Sequence, residues 1–354
     1  MAKSVVTCPR LDHVNIPISY FFTHGLEVDY LYPPPITKRT WELGSKYCPD
    51  MACAPFKSML GNFIECIEAG ANVLVQTGGA CRLGYYGELH QQILEDLGYE
   101  IRFVNMAKAN YGNLLTFFDE FKKINPDYSI PRMLRALLTA KQMLAYIDET
   151  DERTRRDLGF AEDKAAYRRA LKQFFHDLDH VNGRRELDYV YAGLRRQLEA
   201  IPLKIPKKPL RVGIVGEYYT IMEPYSNHFV EDHLADMGVS VERWMNITRS
   251  VFGYPKREIA RGAARYAKYD MGATSLPTIC KAAEYAERGF DGIIHVKSTA
   301  CTPEVDAMPA LQNISADFKI PILYLSYDTQ TGEEGINTRL EAFYDMIAMR
   351  KGVL

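Results

Sequence analysis

Three of the seven cysteines in this 354-residue chain stand where a thiol could do chemistry. Cys53 closes "KYCPDMAC" and is followed by Ala-Pro-Phe at the head of an amphipathic run; Cys301, in "STACTPEV", is likewise followed by one residue and a proline. Proline suits the first turn of a helix, where its missing N–H loses no bond, so both cysteines are expected at or beside an N-cap. The unpaired backbone N–H groups there favour thiolate over thiol. Cys81 lies between the strand-like "ANVLVQ" and the helix-like "YYGELHQQIL", again where a strand hands over to a helix. Ligands of open α/β sheets gather at that edge.

Thiolates ligate iron–sulfur clusters, and N–H groups aimed at the sulfurs help set the potential. Three thiolates drawn from two domains would hold a cubane in the cleft between them and leave one iron for a fourth ligand. Cys48, five residues before Cys53 and followed by proline, competes for that place with a water, a substrate atom or a sulfur of a neighbouring cluster. No local C-x-x-C run is present, so zinc stays an alternative, and each thiol has a plainer reading as a small residue at a helix start. Cys66 and Cys280 sit inside amphipathic helical patterns and are read as packing residues. Cys8, in a terminal segment, is assigned no role.

Other residues crowd the same edges. "CRLGYYGE" sets Arg82, Tyr85 and Tyr86 beside Cys81, and Arg82 could bind an anion or balance a cluster's charge. "GIVGEYY" resembles a phosphate-cradling turn but lacks a third glycine; tight strand-to-helix packing explains its glycines equally well. Glu217, Tyr218 and Asn227 follow it and are expected at the mouth of the same cleft. In "TRLEAF", Thr338 and Glu341 fit a capping box, with Thr338 as N-cap. His228 and His233 are five apart, off the i,i+4 spacing of a metal-binding pair on one helix face, and Gly-x-Ser-x-Gly and Walker-type loops are absent.

These residues need elements to hold them, and the alternation of pattern supplies those. Residues 1–110 alternate helix and strand as a parallel sheet requires; 111–200 read as long polar helices with no strand between them; "IPLKIPKKP" (201–209) reads as a linker; 210–354 restart the alternation. The expected fold is α/β, two Rossmann-like doubly wound parallel-sheet domains with a helical insert between them. With 43 basic and 45 acidic residues and no block of one sign, nothing points to nucleic acid or a membrane surface. No run approaches the roughly 18 apolar residues of a membrane span, and the start lacks a signal peptide's apolar core. The chain is read as a soluble cytoplasmic protein whose thiols serve metal, catalysis or packing and not a disulfide framework.

"KYCPDMACAPFKSMLGNFIECIEAGANVLVQTGGACRLGYYGELHQQILEDLGY", "VGIVGEYYTIMEPYSNHFVEDHLADMGVSVER", "ACTPEV" and "TGEEGINTRLEAFYDMI" together resemble the superfamily of 2-hydroxyacyl-CoA dehydratase and benzoyl-CoA reductase subunits, in the branch associated with acyl-CoA dehydratase activator ATPases. The resemblance implies two Rossmann-like domains and a [4Fe–4S] cluster on Cys53, Cys81 and Cys301. It also implies a partner ATPase that carries its own iron–sulfur cluster and delivers low-potential electrons. A subset of the superfamily holds two cubanes joined by a sulfide, a double-cubane cluster, and reduces small molecules. The chain departs from the pattern at Cys48, where another residue type is expected, at Thr302, which replaces a methionine, and at Thr329, where an acidic residue is common.

Three functions follow as expectations. The first is low-potential electron transfer or reduction of a small substrate, fed by the ATP-dependent activator, by a homodimer or a pair with a related subunit. The second is a subunit of a 2-hydroxyacyl-CoA dehydratase, which a pocket with basic residues for the CoA phosphates would favour. The third is a non-catalytic binding or regulatory module stapled by metal, which a closed four-cysteine site including Cys48 would favour.

Overall fold

The computed structural model describes residues 4–76, 81, 85–106 and 114–353. Arg82 lies outside them. The chain divides into two compact units, Met1–Leu144 and Ala145–Leu354.

The first unit holds four parallel strands, β1 (Val5–Thr7), β2 (Asp29–Tyr30), β3 (Val73–Gln76) and β4 (Arg102–Asn105), in the order β2-β1-β3-β4. β3 is buried at all four positions, as a strand covered by helices on both faces must be. Between β2 and β3 the chain forms α1 (Lys38–Tyr47) and α2 (Ala54–Glu68). These two helices meet backbone to backbone through glycines. A Cβ on Gly44 would stand 1.8 Å from the Lys57 carbonyl oxygen, and one on Gly61 would stand 1.8 Å from that of Thr40. The Thr40 hydroxyl donates to the buried Glu65 carboxylate (2.7 Å) across the same contact. After β3 comes α3 (Tyr86–Asp96), which leads into β4.

The described residues from 114 to 199 form helices α4 (Leu114–Lys122), α5 (Ile130–Asp157), α6 (Lys164–Asp179) and α7 (Arg184–Glu199). The boundary between the units falls within α5. Residues 201–209 form no helix, and Leu203 pairs with Ala161 in an isolated bridge.

The second unit repeats the first unit's strand plan. β5 (Arg211–Gly216), β6 (Ser240–Arg243), β7 (Gly292–Ser298) and β8 (Ile322–Tyr327) are parallel, in the order β6-β5-β7-β8. Among the helices around them are α8 (Tyr218–Met222), α9 (Ser275–Glu287), α10 (Thr302–Phe318) and α11 (Glu333–Lys351). β7 is buried at all seven positions, and a core of Ile279, Ala283, Tyr285, Ile293, Leu311 and Ile314 fills one of its faces. The α/β fold read from the sequence is therefore the fold adopted. In both sheets the chain leaves its first strand to one side, then returns to the other, so the crevice falls between the first and third strands at their carboxyl ends.

One local expectation is overturned. Thr338 is no N-cap: α11 begins at Glu333 behind Gly332, and Thr338 lies inside it, donating its hydroxyl to the Glu334 carbonyl (3.0 Å). A threonine one turn into a helix can make that bond as readily as a cap, so the Thr-x-x-Glu spacing does not by itself locate a helix start.

Candidate functional site

In the second unit β7 ends at Ser298 and, after two residues, Cys301 caps α10 with extended backbone and Pro303 in the first turn. Its N–H donates to the Ser298 carbonyl (3.0 Å), and its carbonyl accepts from Val305 N–H (3.0 Å). Across the crevice, β5 ends at Gly216, where a side chain would collide with the Val296 carbonyl and φ is +140°. A Cβ on Gly213 would collide with the Tyr285 ring, so the Gly-x-x-Gly pair serves tight packing. Glu217 then caps α8. Its carboxylate accepts from the N–H groups of Tyr219 and Thr220 (2.8 Å each) and the Thr220 hydroxyl (2.5 Å). Burial raises its pKa against the pull of those bonds, and the nearby Glu304 adds to the rise. Asn227 spends its amide on the carbonyls of Thr220, Ile221 and Glu223 and holds the following turn together. Tyr218 is pushed well above the usual phenol range by burial.

Directly under Cys301 lies a buried polar group. His295, in the middle of β7, places Nε2 2.7 Å from Oε2 of Glu304, the third residue of α10, and both side chains are wholly buried. The other Glu304 oxygen accepts from Thr278 (3.2 Å) and from Thr274 at the start of α9. Glu304 therefore fastens the first turn of α10 to both the sheet and a neighbouring helix. Lys297 points from the same face of β7 as His295, two residues on. It is 5% exposed, its ammonium donates only a long bond (3.5 Å) to the Thr299 carbonyl, and it forms no ion pair among the described residues. Burial lowers its pKa, while negative charge at Cys301 and Glu304 works the other way.

The first unit builds a comparable edge. Cys53 caps α2, with Pro55 in the first turn, and its Sγ lies 2.5 Å from the hydroxyl of Tyr86, the first residue of α3. His90 of α3 is fully buried, with Nε2 donating to the Phe56 carbonyl (3.0 Å) and Nδ1 hydrogen-bonded to the side-chain amide of Gln76 (2.8 Å), the last residue of β3. The ring also stacks on Phe56 at 3.9 Å. These contacts bring the start of α2 to the carboxyl end of β3, on whose exit segment Cys81 lies, half-buried. Burial holds the His90 pKa down at about 4, so the ring is neutral at neutral pH.

The remaining thiols divide as their surroundings dictate. Cys48 is buried at the C-cap of α1, and desolvation pushes it up to about 12 although Lys57 pulls the other way. Cys66 and Cys280 are buried helix residues, with Cys66 raised to about 12 and Cys280 raised, both by burial. Cys8 is not an idle terminal residue: it follows β1, lies 3.0 Å from the Tyr30 hydroxyl and accepts from Asn15 (3.3 Å), its thiol raised to about 11 by burial. None of the seven is in a disulfide.

The donors at Cys53 and Cys301 fit an iron–sulfur cluster in kind: soft sulfur at helix N-termini, with the buried cation Lys297, which forms no ion pair among the described residues, near Cys301. Among the described residues, no three His, Cys, Asp or Glu side chains gather closely enough to hold a metal ion. His90, His295, Glu304 and Lys297 carry these edges and escape a sequence reading; their one signal is a charged or ring-nitrogen residue interrupting an apolar run, as in "DGIIHVKS".

A cavity of about 520 Å³ in the second unit offers little to a CoA phosphate. Three of its four arginines are paired with its own acids, Arg249 with Glu152 (2.9 Å), Arg195 with Glu199 (3.5 Å) and Arg153 with Glu199 (3.9 Å), and the fourth, Arg156, is held by the neighbouring Asp157 (2.8 Å). Among the described residues no helix is long and apolar enough to cross a membrane.

Comparison with curated proteins gives no match. The model of the family described as 2-hydroxyglutaryl-CoA dehydratase, D-component, matches residues 162–347. That stretch includes Glu217, His295, Lys297, Cys301 and Glu304, and leaves Cys48, Cys53 and Cys81 outside it. A match over more than half of the chain, on the unit whose sheet edge carries Cys301, makes this protein a member of the 2-hydroxyglutaryl-CoA dehydratase D-component family.

Proposed function

We propose that this chain is the iron–sulfur subunit of a dehydratase-like reductase, with Cys53, Cys81 and Cys301 as the ligands of a [4Fe–4S] cluster. The observation that carries the reading is the repetition of one device. In each of two sheets of the same strand order, a cysteine caps a helix at the carboxyl edge, and a fully buried histidine braces that helix's first turn. Packing alone gives no reason to repeat an N-cap cysteine, which is a poor cap compared with Ser, Thr, Asp or Asn.

When bound, such a cluster supplies one-electron transfer at low potential. The chain's own residues supply the rest. The N-cap positions set Cys53 and Cys301 in the field of the helix starts, Tyr86 can donate to Cys53, and the neutral His90 and the His295–Glu304 pair keep both helix starts in place. Cys48, a buried C-cap thiol, takes no ligand role. The electron donor is a partner ATPase that couples ATP hydrolysis to electron delivery, in keeping with the family, and the cluster-bearing chain works as a homodimer or beside a related subunit. A double cubane joined by a sulfide is the form in which two such sites would serve a small substrate.

The test is iron and acid-labile sulfide per chain on anaerobically purified protein, repeated on Cys53→Ala, Cys81→Ala and Cys301→Ala. About four irons per chain or more, lost in all three variants, is the expected result for a cubane. Iron indifferent to the three substitutions would overturn the reading.

The family match favours a second reading, in which the substrate is a 2-hydroxyacyl-CoA. The two separate on substrate: dehydration of a 2-hydroxyacyl-CoA in the presence of activator and ATP supports the second, and ATP-driven reduction of small molecules without it supports the first.

A further inference from the structure

We infer that Lys297 is a charge-compensating residue for the anionic group held at Cys301, and that its ammonium makes that group easier to reduce. The inference rests on the iron–sulfur reading above and adds to it a residue outside the ligand set.

Lys297 is 5% exposed, on a strand buried along its whole length. A buried ammonium costs several kcal/mol unless an opposite charge or good hydrogen bonds compensate it. The bond to the Thr299 carbonyl is long, at 3.5 Å, and Lys297 has no ion pair among the described residues. Glu304, the carboxylate whose field reaches it, is occupied by His295, Thr274 and Thr278. The ammonium is therefore left without a directly bonded anion among the described residues, and a negative group joining the turn would supply one. Thr299, which accepts the ammonium's one bond among the described residues, lies in the short passage from β7 to the Cys301 cap, at the start of a 17-residue helix. A thiolate-ligated cluster carries net negative charge, and net charge near the cluster is among the factors that set its potential. An added electron deepens that charge, so a cation beside it stabilises the reduced form more than the oxidised one.

The experiment is an anaerobic redox titration of the cluster-loaded full chain, followed by electron paramagnetic resonance, with iron and sulfide measured on the same samples. One electron passes from titanium(III) citrate to the cluster, and no bond forms or breaks. Lys297→Met and Lys297→Gln are expected to keep the wild-type iron content and to make reduction at least tenfold less favourable, a fall of about 59 mV in midpoint for one electron. Lys297→Arg, which keeps the charge, is expected to stay near wild type. Unchanged midpoints in the neutral variants, with iron retained, would overturn the inference and leave the iron–sulfur reading standing. If the neutral variants lose iron while Lys297→Arg keeps it, the charge is needed to hold the group, which supports the inference. If all three lose iron, the side chain serves packing and the inference fails. Wild-type protein without iron would instead bring down the iron–sulfur reading, and this inference with it.

Discussion

His295 and Glu304 join strand β7 to the first turn of α10 through a 2.7 Å contact between two side chains that are wholly buried. Nine residues apart, they bracket the turn that carries Cys301. Glu304 also takes the hydroxyls of Thr274 and Thr278, so removing it orphans several buried donors at once. Each unsatisfied buried group costs about 1–3 kcal/mol. Glu304→Ala should therefore lose about 3 kcal/mol or more in urea unfolding, with Glu304→Gln losing less; a loss under about 1 kcal/mol in the alanine variant would mean that the network does not brace the turn.

His90 sets a pH dependence whose sign can be worked out. Burial holds its native pKa at about 4 against an ordinary value of 6.5. The unfolded chain therefore takes up a proton at this site first as pH falls, and stability present above pH 6.5 is lost towards pH 4. The contribution is at most about 3 kcal/mol, since each tenfold change in proton affinity is worth about 1.4 kcal/mol. Because other groups titrate in the same window, the measurement is the difference between wild type and His90→Gln in stability against pH. Parallel curves from about pH 7 to pH 4 would contradict the assignment.

Tyr86 contributes a hydroxyl to Cys53 at 2.5 Å and a ring packed edge-on against Phe56, with centroids 4.9 Å apart. Tyr86→Phe keeps the ring and should cost about 1 kcal/mol, the usual worth of one hydrogen bond. Tyr86→Ala also opens a cavity and should cost about 3–5 kcal/mol, as other large aromatic truncations do. Thermal denaturation of the two variants separates the hydroxyl from the ring, and equal losses would show that the contact with Cys53 carries the whole effect.

The α1–α2 contact makes two glycine substitutions behave oppositely. Gly61→Ala would drive a methyl to 1.8 Å from the Thr40 carbonyl, and the helices must part to admit it, at a cost of about 3 kcal/mol or more. Gly193, inside α7, has nothing within 4 Å of an added Cβ and an ordinary helical setting. Gly193→Ala should stabilise by about 0.5–1 kcal/mol, since alanine surrenders less backbone entropy on entering a helix. Chemical denaturation midpoints of the pair give both signs in one experiment.

Much of the architecture is written in local pattern. "ANVLVQ", "LRVGIVG" and "DGIIHV" read as buried strands because a strand covered on both faces is apolar without interruption. Cys53 and Cys301 read as helix caps because proline two residues on suits the first turn of a helix, and both stand there. β1 and β2, three and two residues long, leave no periodic trace and are not legible in the sequence. The Thr338 spacing misleads because side-chain-to-backbone bonding looks alike at a helix start and within a helix.

The sequence by itself determined the fold class, the places where strands pass into helices, and the cysteines that stand there, since each depends on neighbours within a few residues. Only the tertiary structure decided what surrounds those cysteines. Tyr86 reaches Cys53 across 33 residues and His90 reaches Phe56 across 34, while Thr274 reaches Glu304 across 30. The same is true of Lys297, whose burial without an ion pair among the described residues is visible only in the packed chain. Burial and pairing are properties of the packed chain, because the cost of a buried polar group depends on every element that excludes water from it.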